Sequence, residues 1–266
     1  MPLRTRLTVH LRDKIGRLLF ALAMGRQKQR SLSFSQVKWL ARIPSSYDAL
    51  SQWQLRRAKR PQPALTTERV RSIVAEGEEN PYTAGPEALN FLDGRVRQLR
   101  PHAILEFGSG VSTMVLAACM AEIHGDDTPR VFSIDEDEGY LEETRQMLDR
   151  ARLGNCVRLA HREVHEQVIC GQSTTCYDID DKFLRSFLKT APDVLFVDGP
   201  SGGGTVRFGT LPLVLGHTAV PCTFFLDDAL REDEIRIASL WRKLGGVEFA
   251  AIHVVGHGLL EGRIVQ

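Results

Sequence analysis

Short apolar runs alternate with longer amphipathic stretches from about residue 64 to the end of the chain. Runs rich in Val, Ile, Leu and Phe are typical of parallel strands buried on both faces, whereas helices repeat their apolar positions every three or four residues. The predicted strands cover residues 103–107, 131–134, 157–160, 194–197 and 223–226, and the predicted helices cover residues 111–124, 140–153, 182–190 and 232–244. This alternation predicts an α/β fold with an open, mostly parallel sheet and helices on both faces.

The C-terminal part of the chain has a different pattern. Two apolar stretches, residues 247–255 and 259–265, are separated by a short Gly-His-Gly sequence. Two strands joined by such a short loop form a hairpin. The last strand is therefore predicted to run antiparallel to its neighbour.

The first 60 residues differ in charge from the rest. They hold 14 Lys and Arg but only Asp13 and Asp48, a net charge of +12, whereas the rest of the chain holds 20 basic and 31 acidic residues, a net charge of −11. Residues 7–22 have the spacing of a basic amphipathic helix. We therefore predict a basic N-terminal helical segment and linker, residues 1–60, and a folded domain, residues 61–266. Residues 7–24 are expected either to contact a membrane surface or another subunit, or to pack on their own domain.

The composition favours a cytoplasmic protein. No run approaches the roughly 18 apolar residues of a transmembrane helix, and the apolar core at residues 18–23 is too short for a secretory signal. The five cysteines form no CxxC pair, and Cys170 and Cys176 have no metal ligands beside them at zinc-like spacing. We predict a reduced, cytoplasmic protein that is peripheral to the membrane if the basic helix binds there.

The first predicted strand runs into a glycine turn in the sequence EFGSGVST, residues 106–113. In doubly wound sheets the ligand lies beyond the carboxyl ends of the strands, and Gly108 and Gly110 allow the backbone to approach it closely. Such a turn fits either a dinucleotide or S-adenosylmethionine. Thr113 stands where dinucleotide folds have a third glycine, and the acid Glu106 could reach the amino-acid end of a sulfonium ligand. Both features favour S-adenosylmethionine.

Acidic residues follow three further strands. Asp135 ends the second strand, where a carboxylate can accept hydrogen bonds from both ribose hydroxyls of an adenosyl group, although Asp135 or Asp137 could instead cap the next helix. Asp198 follows the fourth strand and precedes a glycine-rich loop, and Asp227 and Asp228 follow the fifth. Nearby basic residues are candidates for binding an anionic substrate or for capping, namely Arg207, His217 and Arg231. The two histidines after the third strand, His161 and His165, are expected to be structural.

The sequences LEFGSGVST, SIDEDEGY, LFVDGPSGG and FFLDDA, in this order, resemble the successive motifs of class I S-adenosylmethionine-dependent methyltransferases. The resemblance covers about residues 80–266 and is nearest to the small catechol O-methyltransferase-like group. It implies a Rossmann-like, seven-stranded sheet with an antiparallel last strand. It also implies a cofactor site in which the glycine turn holds the methionine part, Asp135 holds the ribose, and the adenine lies near Arg162 and Glu163. The residues of this predicted site are Glu106, Gly108, Ser109, Gly110, Ser112, Thr113, Asp135, Glu136, Arg162, Glu163 and Asp198. Residues 80–88 resemble the segment that closes over the cofactor in this group, or else form a proline-rich helix entry.

The same resemblance suggests a metal site. Metal-dependent members of the group hold magnesium with Asp, Asp and Asn, and here Asp198, Asp227 and Asp228 stand at those positions, with Asp replacing Asn at the last. A cation at this place would bind and activate a substrate hydroxyl. We therefore predict Mg²⁺ or Mn²⁺ at these three residues, with Asp198 as the catalytic residue. In the alternative, Asp198 is a metal-free general base or a loop cap, and Asp227 and Asp228 are structural caps.

These features together predict an S-adenosylmethionine-dependent methyltransferase that acts on a hydroxyl of a small molecule or glycan, with N-methylation also open. No nucleic-acid partner is expected. One alternative is an NAD-dependent oxidoreductase, disfavoured by Thr113 and by the lack of an evident Tyr/Lys or His catalytic pair. The other is a non-catalytic S-adenosylmethionine-binding module that the basic helix tethers to a partner.

Overall fold

The computed structural model describes residues 31–40 and 84–266. The strands are β1 Ser31–Leu32, β2 Ile104–Phe107, β3 Val131–Asp135, β4 Val157–His161, β5 Val164–Ile169, β6 Gln172–Tyr177, β7 Val194–Val197, β8 Cys222–Leu226, β9 Val247–His253 and β10 Leu259–Ile264. The helices are α1 Phe34–Leu40, α2 Pro86–Leu99, α3 Val111–His124, α4 Glu138–Arg150, α5 Asp181–Phe187, α6 Thr210–Val214 and α7 Glu232–Trp241. Single 3-10 turns lie at Gly154–Cys156 and Val206–Gly209.

The main sheet has the strand order β1-β9-β10-β8-β7-β2-β3-β4. The five central strands β8, β7, β2, β3 and β4 are parallel, and β10 is antiparallel to both β8 and β9. The predicted Rossmann-like fold with an antiparallel last strand is therefore confirmed. Because β2, β3, β7 and β8 are parallel, the residues that follow them meet along one edge of the sheet, as the binding prediction requires.

Apolar cores fill both faces of the sheet, which explains why its central strands are apolar without interruption. Successive residues of β2 point to opposite sides, so that Ile104 packs in one core and Leu105 in the other. Glu106 lies on the same face as Ile104, against the beginning of α3, and is fully buried.

Part of the basic N-terminal segment belongs to the sheet. Strand β1 pairs with β9 and adds an eighth strand at the edge, and α1 follows it directly. Leu32, Phe34 and Val37 are buried, and the ring of Phe34 lies 4.8 Å from that of Phe249. The predicted amphipathic helix and the linker lie outside the described residues, so the division at residue 60 stays a prediction.

The hairpin β5–β6 interrupts the predicted alternation. It stands between β4 and α5 as a separate two-stranded sheet, and it packs against the 3-10 turn Val206–Gly209. A Cβ atom added to Gly209 would lie 2.6 Å from the sulfur of Cys176 and from a methyl carbon of Ile169, so glycine is needed for this contact. The hairpin thus supports the loop that follows β7.

The described residues include no helix that is both long and apolar enough to cross a bilayer. None of the five cysteines forms a disulfide, and of the five only Cys170, at the turn of the β5–β6 hairpin, is exposed. Cys170 and Cys176 are therefore not bonded to each other.

Candidate active site

The glycine turn after β2 is braced by a buried carboxylate. Gly108 and Gly110 have φ angles of 99° and 127°, which L side chains rarely adopt. Glu106 accepts hydrogen bonds from the hydroxyls of Ser112 and Thr113, each at 2.6 Å. The Thr113 hydroxyl also accepts the backbone N–H of Gly110 at 3.0 Å. The residue that replaces the third glycine therefore ties the beginning of α3 to the strand end.

Burial is the main influence on the charge of Glu106. It raises the pKa of this carboxyl to about 7, although the hydrogen bonds from Ser112 and Thr113 favour the ionised form. Glu106 has no exposed surface, and both of its oxygens are engaged by hydroxyl groups. It can therefore act on a ligand by shaping the glycine turn, and its predicted contact with a cofactor stays a prediction.

Asp135 ends β3 beside the glycine turn. Its Oδ2 accepts the hydroxyl of Ser109 at 2.6 Å, and its Oδ1 accepts the backbone N–H of Asp137 at 2.9 Å. Asp137, which accepts the backbone N–H of Tyr140 at 3.0 Å, is the N-cap of α4. Capping therefore does not need Asp135. Each of its oxygens keeps a second acceptor position for a ligand hydroxyl.

Glu136 links the ends of β3 and β7. Its two oxygens accept the hydroxyl of Tyr177 at 2.8 Å and the backbone N–H of Ser201 at 2.6 Å. The neighbouring Gly199 packs closely on the backbone of Gly108 and on the Tyr177 hydroxyl. A Cβ atom added to Gly199 would collide with both. The sequence did not single out Tyr177, because it lies in a polar segment with no apolar periodicity.

The residues predicted to lie near the adenine surround a surface crevice of about 410 Å³ beyond β4. Its lining residues are His161, Arg162, Glu163, Asp178, Asp180 and Phe183. The guanidinium of Arg162 stacks 3.8 Å above the ring of Phe183, and His161 pairs in register with Asp135. The crevice is therefore adjacent to the predicted ribose position. The exposed His165 lies 3.7 Å from Glu163 and 3.8 Å from Asp178.

Asp198, Asp227 and Asp228 follow β7 and β8 as predicted and lie close together, with Glu234 of α7 beside them. The structure places the guanidinium of Arg207 among these carboxylates. Its Nη2 lies 3.2 Å from Asp198 Oδ1, and its Nη1 lies 3.3 Å from Asp228 Oδ2 and 3.7 Å from Glu234 Oε1. Arg207 is only 6% exposed, so its charge is used inside the cluster and does not face an anionic substrate.

The predicted metal site is corrected by this geometry. In the part of the chain that the structure describes, no three His, Cys, Asp or Glu side chains are placed to hold a metal ion. One oxygen of Asp198 and one oxygen of Asp228 already contact Arg207. The buried Asp227 Oδ1 has no hydrogen-bond partner among the described residues. Because the Arg207 guanidinium already lies among the carboxylates, these residues do not fit Mg²⁺ or Mn²⁺.

The carboxyl groups of the cluster differ strongly in proton affinity. Burial and the nearby Asp227 raise the pKa of Asp198 well above its usual value, although Arg207 opposes this. Burial also raises the pKa of Asp227 to about 6. Burial alone would also raise the pKa of Asp228. Hydrogen bonding by His257 and the charges of Arg207 and Arg231 outweigh burial there and lower the pKa.

Two further basic side chains contact the cluster from the exposed side. Arg231 Nη1 lies 2.8 Å and His257 Nδ1 lies 3.3 Å from Asp228. The sequence marked His257 only as part of a turn, because its role depends on the β9–β10 loop folding back onto residues 227–230. His217, the other candidate for anion binding, lies 2.7 Å from Asp181 of α5 instead. Asp228 does not cap α7, whose N-cap residue is Arg231.

The sheet order, the antiparallel last strand and the motifs at the strand ends define a class I S-adenosylmethionine-dependent methyltransferase fold. Residues 105–229 match the model of a family described as a methyltransferase domain. The predicted resemblance to methyltransferases is therefore confirmed over this segment. No curated protein sequence matches the chain.

Solved structures agree with this fold. A methyltransferase from Geobacter sulfurreducens is 17% identical with a TM-score of 0.55, covering 81% of this chain and 97% of its own. An O-methyltransferase from Bacillus cereus, in complex with S-adenosylhomocysteine, is 15% identical with a TM-score of 0.57, covering 82% and 99%. The O-methyltransferase TomG from Streptomyces achromogenes, involved in tomaymycin synthesis and in complex with S-adenosylmethionine, is 13% identical with a TM-score of 0.56, covering 81% and 96%.

Proposed function

We propose that this protein transfers a methyl group from S-adenosylmethionine to a hydroxyl of a small-molecule or glycan acceptor. The observation that carries the proposal is the pair formed by the glycine turn and Asp135, which lie side by side on adjacent parallel strands. Gly108 and Gly110 place no side chain at two of the three positions of the turn, and Asp135 offers acceptor positions next to it. Two of the solved neighbours named above, from Bacillus cereus and Streptomyces achromogenes, are in complex with S-adenosylhomocysteine and S-adenosylmethionine, which adds support for the ligand class.

The turn and Asp135 have separate tasks in binding. The backbone at Gly108–Gly110 approaches the methionine part, since a side chain there would block it. Asp135 accepts the ribose hydroxyls, because a carboxylate binds two adjacent hydroxyls better than any neutral group does. Ser109, which donates its hydroxyl to Asp135, orients the carboxylate for this task.

Asp198 is the residue best placed to receive a proton from the acceptor. It follows β7, next to the glycine turn, and its side chain is 22% exposed while its neighbours in the cluster are nearly buried. In the transfer, the acceptor oxygen forms a bond to the methyl carbon while the carbon–sulfur bond breaks. The electron pair of the broken bond stays on sulfur. The hydroxyl proton moves to the Asp198 carboxylate. The protein otherwise contributes alignment of the reacting atoms and exclusion of water.

Calorimetry with S-adenosylhomocysteine on the full chain tests the binding site. We expect the wild-type protein to bind, and Asp135→Ala to weaken binding by about 1–3 kcal/mol, the cost of losing hydrogen bonds to a charged group. Asp137→Ala is the matched control, because it removes the cap of α4 without touching the proposed ribose position. The ribose assignment fails if Asp135→Ala binds as tightly as the wild type or if Asp137→Ala weakens binding equally.

A further inference from the structure

Arg207 is held in a fixed position from several sides. It lies in the 3-10 turn Val206–Gly209, and the hydroxyl of Thr210 donates to its backbone carbonyl at 2.8 Å. The indole N–H of Trp241 donates to the carbonyl of Phe208 at 2.7 Å. The close contact of Gly209 with the β5–β6 hairpin holds the other side of the turn. The backbone of Arg207 therefore has little freedom to move.

The guanidinium uses every one of its nitrogens inside the cluster. Besides the carboxylates of Asp198, Asp228 and Glu234, Nη1 donates to the carbonyl of Asp227 at 3.3 Å and Nε donates to the carbonyl of Pro200 at 3.4 Å. A planar guanidinium can serve several oxygens at once in this way. Arg207 therefore connects the loops after β7 and β8 to α7 through a single side chain.

We propose that Arg207 is a built-in cation that takes the place of a divalent metal ion at the methyl-transfer site and holds Asp198 in its working position. The proposal rests on the proposed function for the role of Asp198. Arg207 is thus a positioning residue, because it acts through Asp198 and does not reach the reacting atoms. It balances the repulsion among the carboxylates with one positive charge that the chain itself carries.

A metal ion and Arg207 exclude one another at this place. A divalent cation binds carboxylate oxygens at about 2.0–2.6 Å, and Asp198 Oδ1 and Asp228 Oδ2 already contact the guanidinium. To admit the ion, Arg207 would have to leave its carboxylates while its backbone stays fixed. A buried guanidinium without partners is an uncompensated charge in a low-dielectric interior, so the displaced state is strongly disfavoured.

Binding of Mn²⁺, followed by electron paramagnetic resonance on the full-length protein, tests the proposal without any acceptor. We expect the wild type to bind no more Mn²⁺ than Asp198→Asn does. Arg207→Ala opens the centre and leaves its carboxylates without that charge, so it should gain one Mn²⁺ site, with affinity at least tenfold above the wild type. Arg207→Lys keeps a positive charge in the cluster and should stay closed to Mn²⁺.

The double variant Arg207→Ala/Asp198→Asn is the control for location, and it should lose the gained site. The proposal is overturned if the wild type binds one equivalent of Mn²⁺ that Asp198→Asn abolishes, or if folded Arg207→Ala gains none. If Arg207→Ala does not fold, Mn²⁺ binding is compared among the wild type, Asp198→Asn and Arg207→Lys. A Mn²⁺ site that is present in the wild type and lost in Asp198→Asn contradicts the proposal. Equally low Mn²⁺ binding in all three proteins supports it. S-adenosylhomocysteine calorimetry on the same samples separates this outcome from a failure of the proposed function.

Discussion

The buried pair Glu106–Thr113 gives the sharpest prediction about stability. Thr113 is fully buried, and its hydroxyl both donates to Glu106 and accepts the N–H of Gly110. Thr113→Val removes the hydroxyl but keeps the branched shape, so packing changes little. The substitution therefore isolates the hydrogen bonds that replace the third glycine of dinucleotide-binding turns.

The expected loss can be estimated from the two contacts. A hydrogen bond to an ionised carboxylate contributes about 1.5–3 kcal/mol, and the bond from the Gly110 N–H contributes about 1 kcal/mol. At pH 8, where Glu106 is mostly ionised because its pKa is about 7, Thr113→Val should lower the free energy of unfolding by about 2.5–4 kcal/mol. The hydroxyl favours the charged form, so its removal raises the pKa of Glu106 further. The loss should therefore be smaller at pH 5, where Glu106 is protonated in both proteins.

Urea unfolding followed by circular dichroism measures the loss of unfolding free energy at pH 8 and at pH 5. Thr210→Val is the matched control, because Thr210 is equally buried but donates to a neutral backbone carbonyl. It should cost only about 0.5–1.5 kcal/mol, with no dependence on pH between 5 and 8. Equal losses in the two variants at pH 8, or a loss at Thr113 that does not change with pH, would refute the reasoning.

Two further predictions concern the opposite edge of the sheet. Phe34→Ala should lower the free energy of unfolding by about 3 kcal/mol, because Phe34 packs on Phe249 in the core; urea unfolding that is unchanged would mean that α1 does not pack there in solution. Burial raises the pKa of Glu261, but hydrogen bonds from His253 and Arg95 outweigh it and lower the pKa from 4.5 to about 2. This depressed pKa adds about 3 kcal/mol of stability above pH 4.5, which is lost as the pH falls toward 2. Glu261→Gln should flatten that loss in acid titrations of stability, and an identical pH profile in the variant would contradict the assignment.

The parts of the fold that follow from periodicity were predictable from the sequence. Buried parallel strands such as β7 and the helix α3 coincide with the predicted ranges, because burial on both faces demands an unbroken apolar run. The hairpin β5–β6 was missed, since its strands mix polar and apolar residues and pair only with each other. The two residues of β1 are too few to carry any pattern.

The position of the candidate site at the strand ends was predictable from the sequence, but the way its carboxylates are neutralised was not. Asp135, Asp198, Asp227 and Asp228 lie at the predicted edge, because parallel strands bring their carboxyl ends together. Which cation balances the last three was not readable from spacing. Arg207 reaches them through a turn nine residues after Asp198, and only the packing of that turn aims its side chain inward.

The proposed function depends most on one claim: the strand ends bind S-adenosylmethionine and not a dinucleotide. Isothermal titration of the full-length protein with S-adenosylhomocysteine and, in parallel, with NAD⁺ tests it most directly. We expect saturable 1:1 binding of S-adenosylhomocysteine, with a rise in thermal stability that grows with ligand concentration, and no heat of binding for NAD⁺. Binding of NAD⁺ with no binding of S-adenosylhomocysteine would contradict it.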